Sequence, residues 1–246
     1  MAVLELRGIT KHFGAIEALR GVDLRLESGE VLGLMGDNGA GKSTLVKIIA
    51  GNFPPTSGEI LIDGVPQHFH KPLDARAQGI EVVYQDLALC DNLSAGENVY
   101  LGRELKRKVG PLSLVDFRRI YERAAELFKE LKSETRPKDL VRQMSGGQRQ
   151  AVAIARTRLS DPKFVLMDEP TAAISVRQVA EVLDLIRRLR DTGHAVILIS
   201  HRMPDVFAVC TRVMVLRRGT RVADKPIAAT SPEEVTGLIT GAIASA

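Results

Sequence analysis

Residues Gly36-Asp37-Asn38-Gly39-Ala40-Gly41-Lys42-Ser43 match the pattern G-x-x-x-x-G-K-[ST] at every fixed position. An apolar run, Val31-Leu32-Gly33-Leu34-Met35, precedes them, and a helical pattern from Leu45 to Ala50 follows and stops at Gly51. That context dictates a strand, a tight glycine loop and a helix. Glycines let successive backbone N–H groups turn inward around an anion, and the helix N-terminus adds its positive dipole end. Lys42 then reaches the β- and γ-phosphates of a nucleotide, and Ser43 is placed to ligate Mg²⁺. Chance produces such a match roughly 0.01 times in a chain of this composition.

The rest of the chain accommodates this unit in an α/β core. Apolar runs end on polar residues at Ile60-Leu61-Ile62, Glu81-Val82-Val83-Tyr84, Phe164-Val165-Leu166-Met167 and Ala195 to Ile199. Runs apolar throughout suit strands buried on both faces of a parallel sheet. Amphipathic helix patterns start at Phe117 and at Val179, the second stopped by Gly193. Val213-Met214-Val215-Leu216, Arg218-Gly219 and Arg221-Val222-Ala223 read as a hairpin. Residues 87–160 carry helix patterns without strand runs, which reads as a helical subdomain inserted in one domain of residues 1–246.

Composition is ordinary for a globular chain: 246 residues, 45% hydrophobic, 26% charged, net charge +4. Acids and bases are interspersed, which argues against a nucleic-acid binder. Cys90 and Cys210 are too far apart for a metal knuckle. The first residues carry Glu5 and Arg7 where a signal peptide needs an apolar run, and no window is apolar enough to span a membrane.

Asp168-Glu169 closes an apolar strand run, at the sheet edge where ligands of α/β folds bind. Beside a phosphate loop, Asp168 is the candidate Mg²⁺ anchor and Glu169 the candidate general base. Met144-Ser145-Gly146-Gly147-Gln148 opens a helix with Ser145 at an N-cap-like position, a candidate second phosphate contact. Gln85 and His201 each end a strand run.

The order of these features resembles the ATP-binding subunit of ABC transporters, from about Leu4 to about Leu216, and Ser145-Gly146-Gly147-Gln148 is similar to that family's signature. The resemblance implies an ABC ATPase fold, a P-loop core with a mostly parallel sheet, a small antiparallel β part and a helical subdomain. It implies ATP and Mg²⁺ held by Gly36, Asp37, Asn38, Gly39, Ala40, Gly41, Lys42, Ser43 and Thr44. Phe13 resembles the aromatic that stacks on adenine, the alternative being a core ring. Gln85 resembles the residue that meets Mg²⁺ or the attacking water and senses the membrane partner. His201 resembles the switch on the γ-phosphate. Ser145 and Gly147 are then expected to reach a nucleotide held by a second subunit, so a complete site needs a head-to-tail dimer.

Three stretches, Gly79–Asp86, Asn98–Glu104 and Glu169–Ala173, resemble the ATPases of bacterial monosaccharide importers of the ribose, xylose and fructose type. Many such relatives carry two ATPase halves, whereas this chain carries one P-loop and one signature, so a homodimer or a second ATPase subunit is expected. A transmembrane permease, a periplasmic solute-binding protein and a place on the cytoplasmic face of the bacterial inner membrane follow from the same resemblance. Two positions depart from the family: Met144 replaces the usual Leu, a volume-conserving swap, and Ser175 stands where an Asp is common. A DNA-repair ATPase, the competing soluble reading, carries a long coiled coil between P-loop and signature. Here that stretch is about a hundred residues without sustained heptads, and translation-type relatives have two halves. A nucleotide-sensing regulatory subunit is motivated by Ser175 alone. The charge run Arg103–Lys108 reads as a solvated face, in the part of the helical insert that faces permease and membrane.

Overall fold

The computed structural model describes residues 2–84, 86–172 and 174–243. In chain order the strands and helices are β1 (Val3–Phe13), β2 (Ile16–Glu27), β3 (Val31–Met35), α1 (Lys42–Ile49), β4 (Ser57–Ile62), β5 (Val65–Gln67), α2 (Pro72–Ala77) and β6 (Ile80–Val83). Then come α3 (Ala95–Tyr100), β7 (Lys106–Val109), β8 (Leu112–Val115), α4 (Phe117–Glu130), α5 (Gly146–Arg158), β9 (Phe164–Asp168), α6 (Val176–Asp191), β10 (Ala195–Ile199), α7 (Met203–Val209), β11 (Arg212–Arg217), β12 (Thr220–Pro226) and α8 (Pro232–Thr240).

The chain divides into two compact units. One comprises Met1–Val82, Pro162–Pro170 and Ile186–Ala246, the other Val83–Asp161 and Thr171–Leu185.

The first unit is built on a sheet of order β12-β11-β3-β10-β9-β6, in which β11, β3, β10 and β9 run parallel. Every residue of β3 and β10 is buried. That is why their sequences are apolar throughout rather than alternating. The hairpin from β11 to β12 turns on Arg218 and Gly219, both at positive φ (50° and 80°), the geometry of a two-residue type I′ turn.

A second sheet, antiparallel and of order β2-β1-β4-β5, carries the N-terminus. Its long strands alternate, with Leu4 and Leu6 of β1 and Val22, Leu24 and Leu26 of β2 buried. The alternation breaks where the pairing slips register, before Ile9 of β1 and between Leu19 and Val22 of β2, and Ile9 and Leu19 are buried as well. These strands were not singled out from the sequence beyond a small antiparallel part. Ile60-Leu61-Ile62 belongs to β4 in this antiparallel sheet rather than to the parallel one, with Ile60 and Ile62 in the same core as β1, β2 and α1.

The second unit packs α3, α4 and α5 around Ala95, Val99, Ile120, Ala124, Phe128, Val152 and Ala155. α4 presents Ile120, Ala124 and Phe128 at four-residue spacing, and Asp116 caps it by accepting the Arg119 N–H (3.1 Å). Phe128 is fully buried, so Phe128→Ala is expected to cost about 3–5 kcal/mol in chemical denaturation. The stretch read as free of strands contains one hairpin, β7 paired with β8. Its strands are four residues each and exposed over most of their length, so no apolar run marks them in the sequence.

Candidate active site

β3 ends at Met35 and the chain enters the glycine loop. Gly36 sits at φ 151°, and a Cβ there would lie 2.3 Å from the Leu216 carbonyl oxygen. Gly41 sits at φ 103°, where a Cβ would lie 2.8 Å from the Ala18 oxygen. The loop therefore needs glycine at both fixed positions because backbone from β11 and β2 closes on it. Its outer side is tied down: the Ala40 N–H donates to the Asp37 oxygen (3.1 Å) and the Gly219 N–H to the Ala40 oxygen (3.0 Å). The β11–β12 turn thus buttresses the loop, a role no local sequence signal announces. Gly36→Ala is expected to weaken nucleotide binding at least roughly tenfold, about 1.4 kcal/mol, in a fluorescence titration.

α1 starts at Lys42, after Gly41, with no side-chain cap. Its first N–H groups, including those of Lys42, Ser43 and Thr44, have no acceptor within the helix and form a positive end. The Lys42 ammonium folds across the loop and donates to the Gly36 oxygen (2.7 Å) and the Asp37 oxygen (3.0 Å). Burial pushes its pKa down, while Glu169, Asp168 and Asp37 oppose that shift. A half-desolvated cation over a cradle of N–H groups favours a polyanion.

The acids arrive at the end of β9, which is separated from β3 by β10. Asp168 pairs in register with Ile199 of β10, which itself pairs with Leu34 of β3, so Asp168 and the loop share one sheet edge. Burial raises the Asp168 pKa, and the neighbouring Glu169 charge adds to it, against Lys42 and Lys47. A carboxyl raised in this way keeps more protons in the folded than in the unfolded chain. Stability is then greatest with Asp168 protonated and falls as pH rises from the ordinary carboxylate value to the raised folded one. Above that range, Asp168→Asn is expected to raise the melting temperature of the nucleotide-free chain by roughly 2–4 °C, seen by calorimetry.

Glu169 takes a left-handed conformation (φ 50°), uncommon for a residue with a side chain and frequent at functional sites. Its N–H donates to the Ile199 oxygen (2.9 Å). Its carboxylate oxygen Oε2 lies 2.7 Å from His201 Nδ1 and accepts the His201 N–H at 3.4 Å. The carboxylate is mostly buried and the imidazole exposed. The group is therefore oriented, close to solvent, and able to accept a proton from a positioned water.

Phe13 is no core ring: it is 46% exposed. It meets Phe53 edge to face (centroids 5.4 Å apart), and the Lys11 ammonium lies over both rings. Gln85 lies outside the described residues.

The candidate signature, Ser145–Gln148, lies in the second unit. Ser145 caps α5 in a reciprocal box: the Gln148 N–H donates to Ser145 Oγ (3.3 Å) and the Ser145 N–H to Gln148 Oε1 (3.0 Å). Gly146 opens the helix, and a Cβ on Gly147 would lie 2.7 Å from Gln178 Cγ. Ser175 caps α6 in the same manner, with its N–H and hydroxyl donating to Gln178 Oε1 (2.9 and 3.0 Å). The S-x-x-Q spacing from Ser175 to Gln178 is the signal that could have predicted this. Ser145, Gly147, Ser175 and Gln178 share a cavity of about 450 Å³.

The structure thus gathers Gly36–Thr44, Asp168, Glu169 and His201 in one unit and builds Ser145–Gln148 in the other. A strand–P-loop–helix with an acid pair at the end of another parallel strand of the same sheet defines a P-loop nucleotide-binding core. The ABC transporter family matches residues 19–172, and the chain belongs to that family. It is 42% identical over 97% of its length to the xylose/arabinose import ATP-binding protein XylG of Sulfolobus acidocaldarius, covering 94% of that protein. It is 41% identical over 97% of its length to the ribose import ATP-binding protein RbsA 1 of Streptomyces coelicolor, covering 47% of it. The chain therefore spans about half the length of such ribose-import relatives. Among solved structures, the cassette MJ0796, dimeric and bound to ADP and Pi after hydrolysis, is 29% identical with a TM-score of 0.76 over 91% of this chain and 98% of that one. A nucleotide-free ATP-binding cassette, 24% identical, shares the fold with a TM-score of 0.81 over 98% of this chain and 96% of that one. Among the described residues no helix is long and apolar enough to cross a membrane.

Proposed function

We propose that the chain binds and hydrolyses ATP and thereby energises import of a monosaccharide, such as ribose, xylose or fructose, through a membrane permease. The observation that carries the chemistry is the Glu169 carboxylate held by His201 on the sheet edge that bears Lys42 and the glycine loop. The sugar rests on the likeness to the xylose/arabinose and ribose import proteins.

In this reading N–H groups of the glycine loop and of Lys42, Ser43 and Thr44 at the start of α1, with the Lys42 ammonium, hold the phosphates, and Phe13 stacks on adenine. Glu169 takes the proton of the attacking water, and His201 orients that carboxylate and contacts the γ-phosphate. Gln85 links the site to the permease. The Ser43 hydroxyl and the Asp168 carboxylate are hard oxygen donors, and burying two adjacent acids leaves negative charge that a divalent cation would relieve. Both fit Mg²⁺, which supplies charge neutralisation at the phosphate oxygens. Ser145, Gly146, Gly147 and Gln148 reach the nucleotide of a second ATPase subunit, so the working form is a dimer. That dimer sits peripherally on the cytoplasmic face of the inner membrane, with a periplasmic binding protein delivering the sugar. Phosphate release from ATP by the purified chain with Mg²⁺ tests the enzymatic part. Turnover that depends on Lys42 is expected, and none under any condition overturns it.

A further inference from the structure

The β7–β8 hairpin has no part in the site above. Antiparallel pairing sets Arg107 opposite Leu114 and Val109 opposite Leu112, which places these four on one face. Lys106, Lys108 and Ser113 project from the other face, with Val115 at the root. The turn is Gly110-Pro111, with Gly110 at φ 60°. The root is fixed, since Leu105 and Val115 pack on the core of the second unit and the Asp116 N–H donates to the Leu105 oxygen (2.7 Å). The tip is not covered: Val109, Leu112 and Leu114 are 47%, 62% and 46% exposed, and Phe117 just beyond is exposed as well.

Two short strands with both faces in water are marginal unless something covers them. Residues 105–115 contain three cations, four exposed or root-buried aliphatics beyond Leu105, and no acid. The flanking acids have local work, Glu104 accepting the Gly102 N–H (2.8 Å) and Asp116 capping α4. One face is apolar with an arginine at its margin, and the other bears lysines long enough to bend their charge to the phosphate level. A surface that takes apolar side chains and attracts cations on the same small footprint is an anionic lipid interface.

We propose that the β7–β8 hairpin lies in the headgroup layer of an anionic membrane, with Val109, Leu112 and Leu114 towards the acyl chains and Lys106, Arg107 and Lys108 on lipid phosphates. This contact is made by the chain itself and is independent of ATP chemistry.

The test is co-sedimentation of the full chain, without nucleotide, with vesicles of equal parts phosphatidylglycerol and phosphatidylcholine, against phosphatidylcholine alone. Binding to the anionic vesicles is expected, falling as salt is raised. The combined variant Lys106→Glu, Arg107→Glu, Lys108→Glu is expected to weaken it on the order of a hundredfold. The variant Leu112→Ser, Leu114→Ser is expected to weaken it at both low and high salt. All these side chains are exposed, so circular dichroism and melting temperature should stay unchanged and separate lost contact from lost fold. No binding to anionic vesicles, or equal binding by the charge-reversed variant, overturns the proposal. So does a variant that alters self-association or permease capture while vesicle binding holds, since the hairpin would then be a protein contact. Failure of ATP hydrolysis would leave these readings untouched.

Discussion

Glu169→Gln is expected to bind ATP with affinity close to the unsubstituted chain while turnover falls roughly 10²–10⁴-fold, the range that removal of a positioned general base gives. The amide keeps the shape of the side chain and can still meet His201, so the site stays assembled. What disappears is a carboxylate able to take the water's proton. The backbone around Glu169 supports this division, because its left-handed conformation and its N–H bond to Ile199 are independent of side-chain charge. Phosphate release measured under saturating ATP isolates the chemical step. Turnover unchanged in Glu169→Gln would remove the base assignment and leave Glu169 a structural partner of His201.

Lys42→Ala is expected to act on binding instead. The ammonium bonds two carbonyl oxygens of the loop and is half-buried beside Glu169, Asp168 and Asp37. When phosphates enter, the same three N–H donors can serve them. Loss of such a buried charged partner costs about 2–5 kcal/mol, or roughly thirty- to several-thousand-fold in affinity. Calorimetric titration with ATP measures this directly, and a nucleotide-free melting temperature checks that the loop survives. Affinity unchanged in Lys42→Ala would mean that the backbone cradle alone holds the phosphates.

The phosphate loop was legible because its chemistry is local. Eight consecutive residues specify the turn, and the glycines that the pattern demands are those that backbone oxygens of β11 and β2 crowd. Asp168 was legible for a similar reason, as the polar end of a buried strand. The contact between Glu169 and His201 joins residues 32 apart and exists only because β9 and β10 are neighbours in the sheet. No pattern in one sequence states that adjacency. The buttress from Gly219 to Ala40 is longer-range still. Other misses were readable in principle. The alternation of Leu4, Leu6, Leu24 and Leu26 marks a half-buried sheet, and Ser175 to Gln178 spells a helix cap. That cap gives Ser175 a local structural role at the start of α6. The β7–β8 hairpin had the weakest signal, since its residues touch little of the core that makes strands apolar.

The central claim is that ATP hydrolysis here drives a membrane permease. Affinity purification of the tagged chain from gently solubilised native membranes, with identification of what accompanies it, tests that claim most directly. The account predicts a polytopic permease, with a sugar-binding protein encoded or recovered beside it. A soluble or ribosomal partner, with no membrane protein, would contradict the transport reading and leave an ATPase of another pathway.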